Sequence, residues 1–84
     1  MTRPARPIKL GLVQMQCSTD PDDNLRRALT FLRKAASEGC RVACLPELFR
    51  SQYFCQTEDH ANFDLAEPIP GPSTEALAAV ARET

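Results

Sequence analysis

Two short apolar runs bracket one long amphipathic pattern, and this order constrains the fold more than any other feature of the chain. Ile8 to Gln16 (IKLGLVQMQ) reads as a strand: Ile8, Leu10 and Leu12 share one face, while Gly11, Val13 and Met15 share the other. Apolar groups on both faces suit an interior strand covered from both sides. Asp20-Pro21 then opens a helix. Asp20 is placed to cap, Pro21 fits the first helical position, and Asp22 and Asp23 complement the positive end of the helix dipole. Leu25, Ala28, Leu29, Leu32, Ala35 and Ala36 recur at three- and four-residue spacing as one apolar stripe, with Arg26, Arg27, Arg33 and Lys34 on the wet side. The pattern predicts a helix from Pro21 to about Glu38, closed by Gly39 as a left-handed cap. Arg41 to Leu45 (RVACL) makes a second short strand.

Strand, helix and strand form a βαβ unit, which implies parallel strands joined by a right-handed crossover. Two parallel strands cannot bury both of their faces, so the unit implies a larger sheet than this chain contains. The chain has 84 residues, at most one small domain. A chain of that size buries only about 60–65% of the surface it exposes when unfolded. Its isolated form is therefore expected to fold poorly.

After Leu45 the periodicity stops. Pro46 to Pro72 holds four of the seven prolines, together with Phe49, Tyr53, Phe54 and Phe63, whose aromatic character argues against disorder. A stretch this long without regular structure is commonly functional. Glu67-Pro68-Ile69-Pro70-Gly71-Pro72 reads as a stiff turn. Ser73 is expected to cap a last helix, with Glu75 in its first turn and Leu77 and Val80 on its apolar side. That helix reaches Thr84 without a stop signal and is read as truncated. Residues 1–7 form a lead-in and residues 8–84 an incomplete domain.

The formal net charge is −1, and no apolar run approaches the roughly 20 residues that span a bilayer. Neither nucleic acid nor a membrane is expected as a partner. Pro4, Pro7, Lys9, Gln14 and Gln16 make the N-terminus a poor signal peptide. A cytoplasmic location is the default, with free thiols at Cys17, Cys40, Cys44 and Cys55. The set Cys40, Cys44, Cys55 and His60 only loosely resembles a zinc finger, and no metal is assigned to it. Cys40 and Cys44 are read instead as buried, inert thiols facing the same way from the second strand.

The chemistry centres on Leu45-Pro46-Glu47-Leu48-Phe49. In parallel α/β sheets ligands bind just beyond the carboxyl ends of strands, which is where Glu47 falls. Pro46 holds the exit extended and offers no N–H. Leu45, Leu48 and Phe49 are expected to desolvate the carboxylate and raise its pKa toward the range of a general base. A solvated loop glutamate is the plain alternative. Tyr53 is a candidate substrate contact on the same loop, with loop packing as its alternative. Phe54 and His60 are read as packing or surface residues, and Asn24 as a local backbone partner near the start of the first helix. Glu58 and Glu67 lie in the same acidic stretch but at no strand end, so their loss is expected to cost little turnover.

Several motifs agree in order and spacing with one family. IKLGLVQMQ, Asp22-Asp23-Asn24-Leu25 and GCRVACLPELF resemble the start of a nitrilase-superfamily carbon–nitrogen hydrolase. The loop SQYFCQTEDHANFDLAEPIPGPST, above all Tyr53-Phe54-Cys55-Gln56, looks most like the N-carbamoylputrescine amidase branch. The resemblance implies the N-terminal βαβ portion of a four-layer αββα sandwich, cut within the second helix. It implies an amidohydrolase acting on a non-peptide C–N bond through a glutamate, a lysine and a cysteine, with no cofactor. Glu47 matches the family glutamate. Lys9, Lys34 and the four cysteines do not match the other two motifs, which lie beyond Thr84 in the family. The substrate implied is N-carbamoylputrescine, an N-carbamoyl amine split to putrescine, carbon dioxide and ammonia, and the full-length protein is implied to be a homo-oligomer. The fragment alone would be inactive. The alternatives are a β-ureidopropionase, an ω-amidase, or a nitrilase-like domain retained for assembly.

Overall fold

The computed structural model describes residues 6–55 and 58–84. The first part of the lead-in and position Gln56 of the Tyr-Phe-Cys-Gln run lie outside the described residues. In chain order the elements are β1 (Leu10–Leu12), α1 (Pro21–Ser37), β2 (Val42–Cys44), a 3-10 helix (His60–Leu65) and α2 (Pro72–Glu83). β1 and β2 pair in parallel, with Leu10 opposite Val42 and Leu12 opposite Cys44. α1 is thus the crossover of a βαβ unit.

α1 starts and stops where its end residues direct. The Asp20 carboxylate accepts from the Asp22 N–H at 3.0 Å, and Pro21 occupies the first turn. At the other end Gly39 adopts φ 89°, the left-handed conformation that only glycine takes at little cost. The Lys9 ammonium donates to the Glu38 carbonyl at 2.7 Å and so covers the negative end of the helix. The apolar stripe faces inward as its spacing requires: Ala28 is buried and Leu25, Leu29, Leu32, Ala35 and Ala36 are half-buried.

β1 passes beneath α1 at Gly11. A Cβ there would stand 3.2 Å from both the Ala35 Cβ and the Cys40 Sγ, so glycine permits the close approach. The strands are shorter than the apolar runs that encode them. Hydrogen bonds from Arg41 N–H to the Lys9 carbonyl and from Val13 N–H to the Cys44 carbonyl, both 2.9 Å, extend the ladder by one step at each end. Beyond them each strand runs out of partner, and a strand exists only where another strand pairs with it.

The expectation of two covered faces is met on one side. Gly11, Val13 and Met15 are half-buried toward α1, whereas Ile8, Leu10, Leu12 and Val42 are each more than half exposed. Cys40 and Cys44 do not share a face, contrary to expectation. Cys40 precedes the strand and packs against Gly11 beneath α1, while Cys44 lies on the open face with Leu12 and is exposed. It is not a buried thiol.

α2 packs on α1, and the Arg33 guanidinium reaches the Glu83 carboxylate at 2.8 Å and 3.4 Å. Each partner stabilises the charged form of the other, so the pKa of Arg33 is raised and that of Glu83 lowered. Val80 is buried on α2 and Leu77 half-buried, as the spacing predicts. The helix starts two residues earlier than expected, with Gly71 rather than Ser73 as N-cap and Pro72 in the first turn. Ser73 therefore lies inside the helix and cannot cap it. The Glu67 carboxylate takes the cap's place by accepting from the Ser73 N–H at 2.6 Å. Gly71 is buried, and a Cβ on it would collide with the Pro68 carbonyl oxygen. Among the described residues, the buried apolar side chains are Ala28 and Val80, a thin core for a chain of this length.

Candidate active site

The exits of β1 and β2 lie side by side because the strands are parallel, and the chemistry-bearing segments leave from there. From β1 the chain runs through Cys17 and Ser18 into the first turn of α1. From β2 it passes Leu45 and Pro46 into a turn at Glu47 and Leu48. Glu47 thus sits beyond the carboxyl end of β2, as its place in the sequence implies.

Glu47 forms part of the wall of a groove of about 850 Å³, which runs between this turn and the 3-10 helix. Phe49, Phe54, Cys55, Phe63 and Leu65 supply apolar or thiol surface to the same groove, and Glu58, Asp59, Asp64 and Glu67 add carboxylates. The 3-10 helix is set by Asp59, whose side chain accepts from the Ala61 N–H at 3.0 Å. His60 is exposed and stacks on Phe63 at a ring separation of 6.2 Å. The Glu47 side chain faces water, so the enclosure expected from Leu45, Leu48 and Phe49 does not form around it. Those three are half-buried. Leu48 and Phe49 share the groove wall with Glu47, but the open groove leaves the carboxylate in contact with water.

Tyr53 is 61% exposed and is not among the described groove-lining residues. It is nonetheless within electrostatic reach of the site. The Cys55 thiol beside the phenol raises the Tyr53 pKa, and desolvation and the Glu47 carboxylate push it further in the same direction. Phe54 is half-buried and lines the groove, so its packing role is also a lining role. Among the described residues, no cluster of three His, Cys, Asp or Glu side chains is placed to hold a metal ion, and no helix is long and apolar enough to cross a membrane.

The loop after Glu47 is tied down at successive residues. The Cys17 thiol donates to the Phe49 carbonyl at 3.2 Å and lies 3.7 Å from that of Leu48. Asn24 is fully buried; its amide donates to the Ser18 carbonyl at 2.9 Å and to the Arg50 carbonyl at 3.0 Å. Its Oδ1 accepts from the Ser18 N–H at 2.8 Å. Asn24 is therefore a local backbone partner, as expected, and also a bridge to the second strand exit.

Arg50 is the residue that sequence reasoning missed. Its guanidinium donates to the Pro21 carbonyl at 3.1 Å, Asp22 Oδ1 at 2.9 Å, Glu67 Oε2 at 2.9 Å and Ser73 Oγ at 2.6 Å. One planar fork joins the candidate-base loop to the first turns of both helices. The hint available in the sequence was two helix starts rich in acceptors, at Asp22 and Glu67, with Arg50 the one arginine on the loop between β2 and α2. Glu67 is held by the same network. The Ser73 N–H lowers its pKa most, opposed by desolvation, and the Ser73 hydroxyl and Arg50 lower it further. Glu67 is thus part of the network that holds the start of α2.

Residues 9–84 match the carbon–nitrogen hydrolase family. Similar proteins include the ω-amidase NIT2 of Homo sapiens, 41% identical over 76 residues that make up 90% of this chain and 26% of that protein. The Mus musculus ω-amidase NIT2 is 42% identical over 77 residues, 92% of this chain and 26% of the relative. The Xenopus laevis ω-amidase NIT2-A is 43% identical over 76 residues, 90% and 26% respectively. The chain spans about a quarter of the length of these relatives. The chain belongs to the carbon–nitrogen hydrolase family, within the nitrilase superfamily. A parallel strand pair with its crossover helix and a following second helix agrees with a portion of that family's α/β fold.

Proposed function

We propose that the protein containing this chain is an amidase that hydrolyses the C–N bond of a small amide, with Glu47 as its general base. The observation that carries this reading is the placement of Glu47 at the exit of β2, on the wall of a groove large enough for a small molecule. In the mechanism the family likeness implies, a cysteine outside this chain loses its thiol proton to Glu47, and the thiolate attacks the amide carbon. A lysine outside this chain stabilises the oxyanion. Collapse breaks the C–N bond, and the proton held by Glu47 leaves with the amine nitrogen. Glu47 then takes a proton from water as the hydroxyl adds to the thioester, and that proton returns to the departing sulfur. The carboxylate ends each cycle as it began.

Two substrate classes fit. The relatives named as ω-amidases favour a terminal amide. An N-carbamoyl amine such as N-carbamoylputrescine is favoured by a different observation: Glu58, Asp59 and Asp64 face the groove along with Glu47, which suits a substrate with a cationic tail. In this second reading the exposed Tyr53 phenol, on the same loop as Glu47, contributes a contact at the rim. Ammonia release from the purified full-length protein tests both. Turnover of linear ω-amides with none of N-carbamoylputrescine supports the first class, and the reverse preference supports the second. No turnover of either would sink the amidase reading and leave a domain retained for assembly.

A further inference from the structure

We infer that Arg50, together with Asn24 and Cys17, positions Glu47 for proton transfer. The inference rests on the reading of Glu47 as the base. Among the described residues, no hydrogen bond holds the Glu47 carboxylate itself. Among those residues, its placement comes from the backbone that carries it. Upstream, Pro46 restricts that backbone. Downstream, the carbonyls of Leu48, Phe49 and Arg50 are all engaged, the first two by the Cys17 thiol and the third by the Asn24 amide. The Arg50 side chain then anchors the far end of the turn to both helix starts through four acceptors.

These partners, the donors Cys17 and Asn24 and the acceptors Asp22 and Pro21, come from the β1 exit and the start of α1. Cys17 follows β1, Asn24 is buried in the first turns of α1, and Asp22 and Pro21 belong to the same helix end. Arg50 is only about one-fifth exposed on its side chain, and its fork reaches Asp22 in one direction and Glu67 with Ser73 in another. A lysine carries one compact head group and cannot serve acceptors so spread. A general base works only within hydrogen-bond reach of the proton it takes, and a misplacement of about 1 Å can cost on the order of 100-fold in rate. Arg50, Asn24 and Cys17 are on this account positioning residues: they act through Glu47 and touch no substrate.

The test uses the full-length protein and its best amide substrate. Glu47→Gln is measured first, then Arg50→Lys and Cys17→Ala, each with a thermal melt and a kcat–pH profile. With Glu47→Gln inactive, Arg50→Lys is expected to fold, to lose roughly 10–100-fold in kcat with KM little changed, and to displace the acidic limb of its profile. Cys17→Ala, the milder change, is expected to lose roughly 2–5-fold with the same displacement. A purely structural role lowers the folded fraction and leaves the limb where it was. An unmoved limb, with a loss that vanishes when rates are scaled to folded protein, overturns the proposal, as does a kcat within about twofold of wild type. Should Arg50→Lys fail to fold, the Cys17→Ala profile decides by the same two criteria. An active Glu47→Gln overturns the base assignment and the positioning with it, whereas an inactive Glu47→Gln beside an unaffected Arg50→Lys overturns the positioning alone.

Discussion

Replacing Asn24 by alanine removes the only fully buried polar side chain among the described residues. Three hydrogen bonds of 2.8–3.0 Å go with it, two to Ser18 and one to the Arg50 carbonyl. Each net hydrogen bond of this kind stabilises by about 1 kcal/mol, and a partner left buried and unsatisfied costs about 1–3 kcal/mol. Ser18 is half-buried and regains some water, so the three together come to about 2–4 kcal/mol. That is a large part of a typical domain stability of about 5–15 kcal/mol. Asn24→Asp is the sharper companion. Its carboxylate can still accept from the Ser18 N–H, but it now faces the Ser18 and Arg50 carbonyls with no donor. Burial beside those oxygens raises the pKa of the introduced group, so its damage is full above that raised value and recedes as the pH falls through it. Chemical denaturation of the full-length protein at two pH values measures both effects. A loss under about 1 kcal/mol for Asn24→Ala, or an Asn24→Asp deficit that does not shrink in acid, would refute the reasoning.

Other predictions follow from the same structure. The isolated 84-residue chain should give no sharp cooperative melt by circular dichroism and should bind a hydrophobic dye, because Ile8, Leu10, Leu12 and Val42 lie on an open sheet face above a thin core. Gly71→Ala should destabilise the full-length protein by about 1–3 kcal/mol in urea, since its Cβ meets the Pro68 carbonyl. An unchanged urea midpoint would show that this turn relaxes freely. The lowered pKa of Glu67 means that its contribution is complete above the ordinary glutamate value of about 4.3 and is lost as the pH falls through the lower folded value. Glu67→Gln should therefore reduce stability at neutral pH and flatten its decline below about pH 4.3, as followed by melts across that range.

Local chemistry made α1 legible to within a residue at each end, because Asp20, Pro21 and Gly39 act on the backbone beside them. The parallel pairing was legible for the same reason: a helix of that length between two apolar runs leaves little other choice. Glu47 at the strand exit followed from the pairing. The environment around it did not, since the neighbours that enclose a carboxylate are fixed by how the turn closes. Strand lengths were overread because apolar character marks the ability to pair, whereas the ladder stops with its partner. The start of α2 was misread at Ser73 because the capping carboxylate comes from Glu67, across a proline-rich turn. The short 3-10 helix was invisible to periodicity, although Asp59 two residues before Ala61 is a local signal of the kind that caps make. Arg50 was unreadable for a general reason: its four acceptors lie 17–29 residues away, and no short-range pattern records such a convergence.

The central claim is that Glu47 serves as the general base of an amidase. The most direct measurement is ammonia release by full-length wild-type protein and Glu47→Gln, at saturating amide, with matched thermal melts. The amide is isosteric, so the fold should survive. It cannot take the thiol proton or activate the hydrolytic water, and loss of a positioned base costs about 10²–10⁴-fold, with the upper end expected where one group serves both half-reactions. A folded Glu47→Gln variant with a kcat at least about a thousandfold below wild type is the result predicted. A folded variant that keeps more than about a tenth of the wild-type rate, a barrier change under about 1.4 kcal/mol, would contradict it.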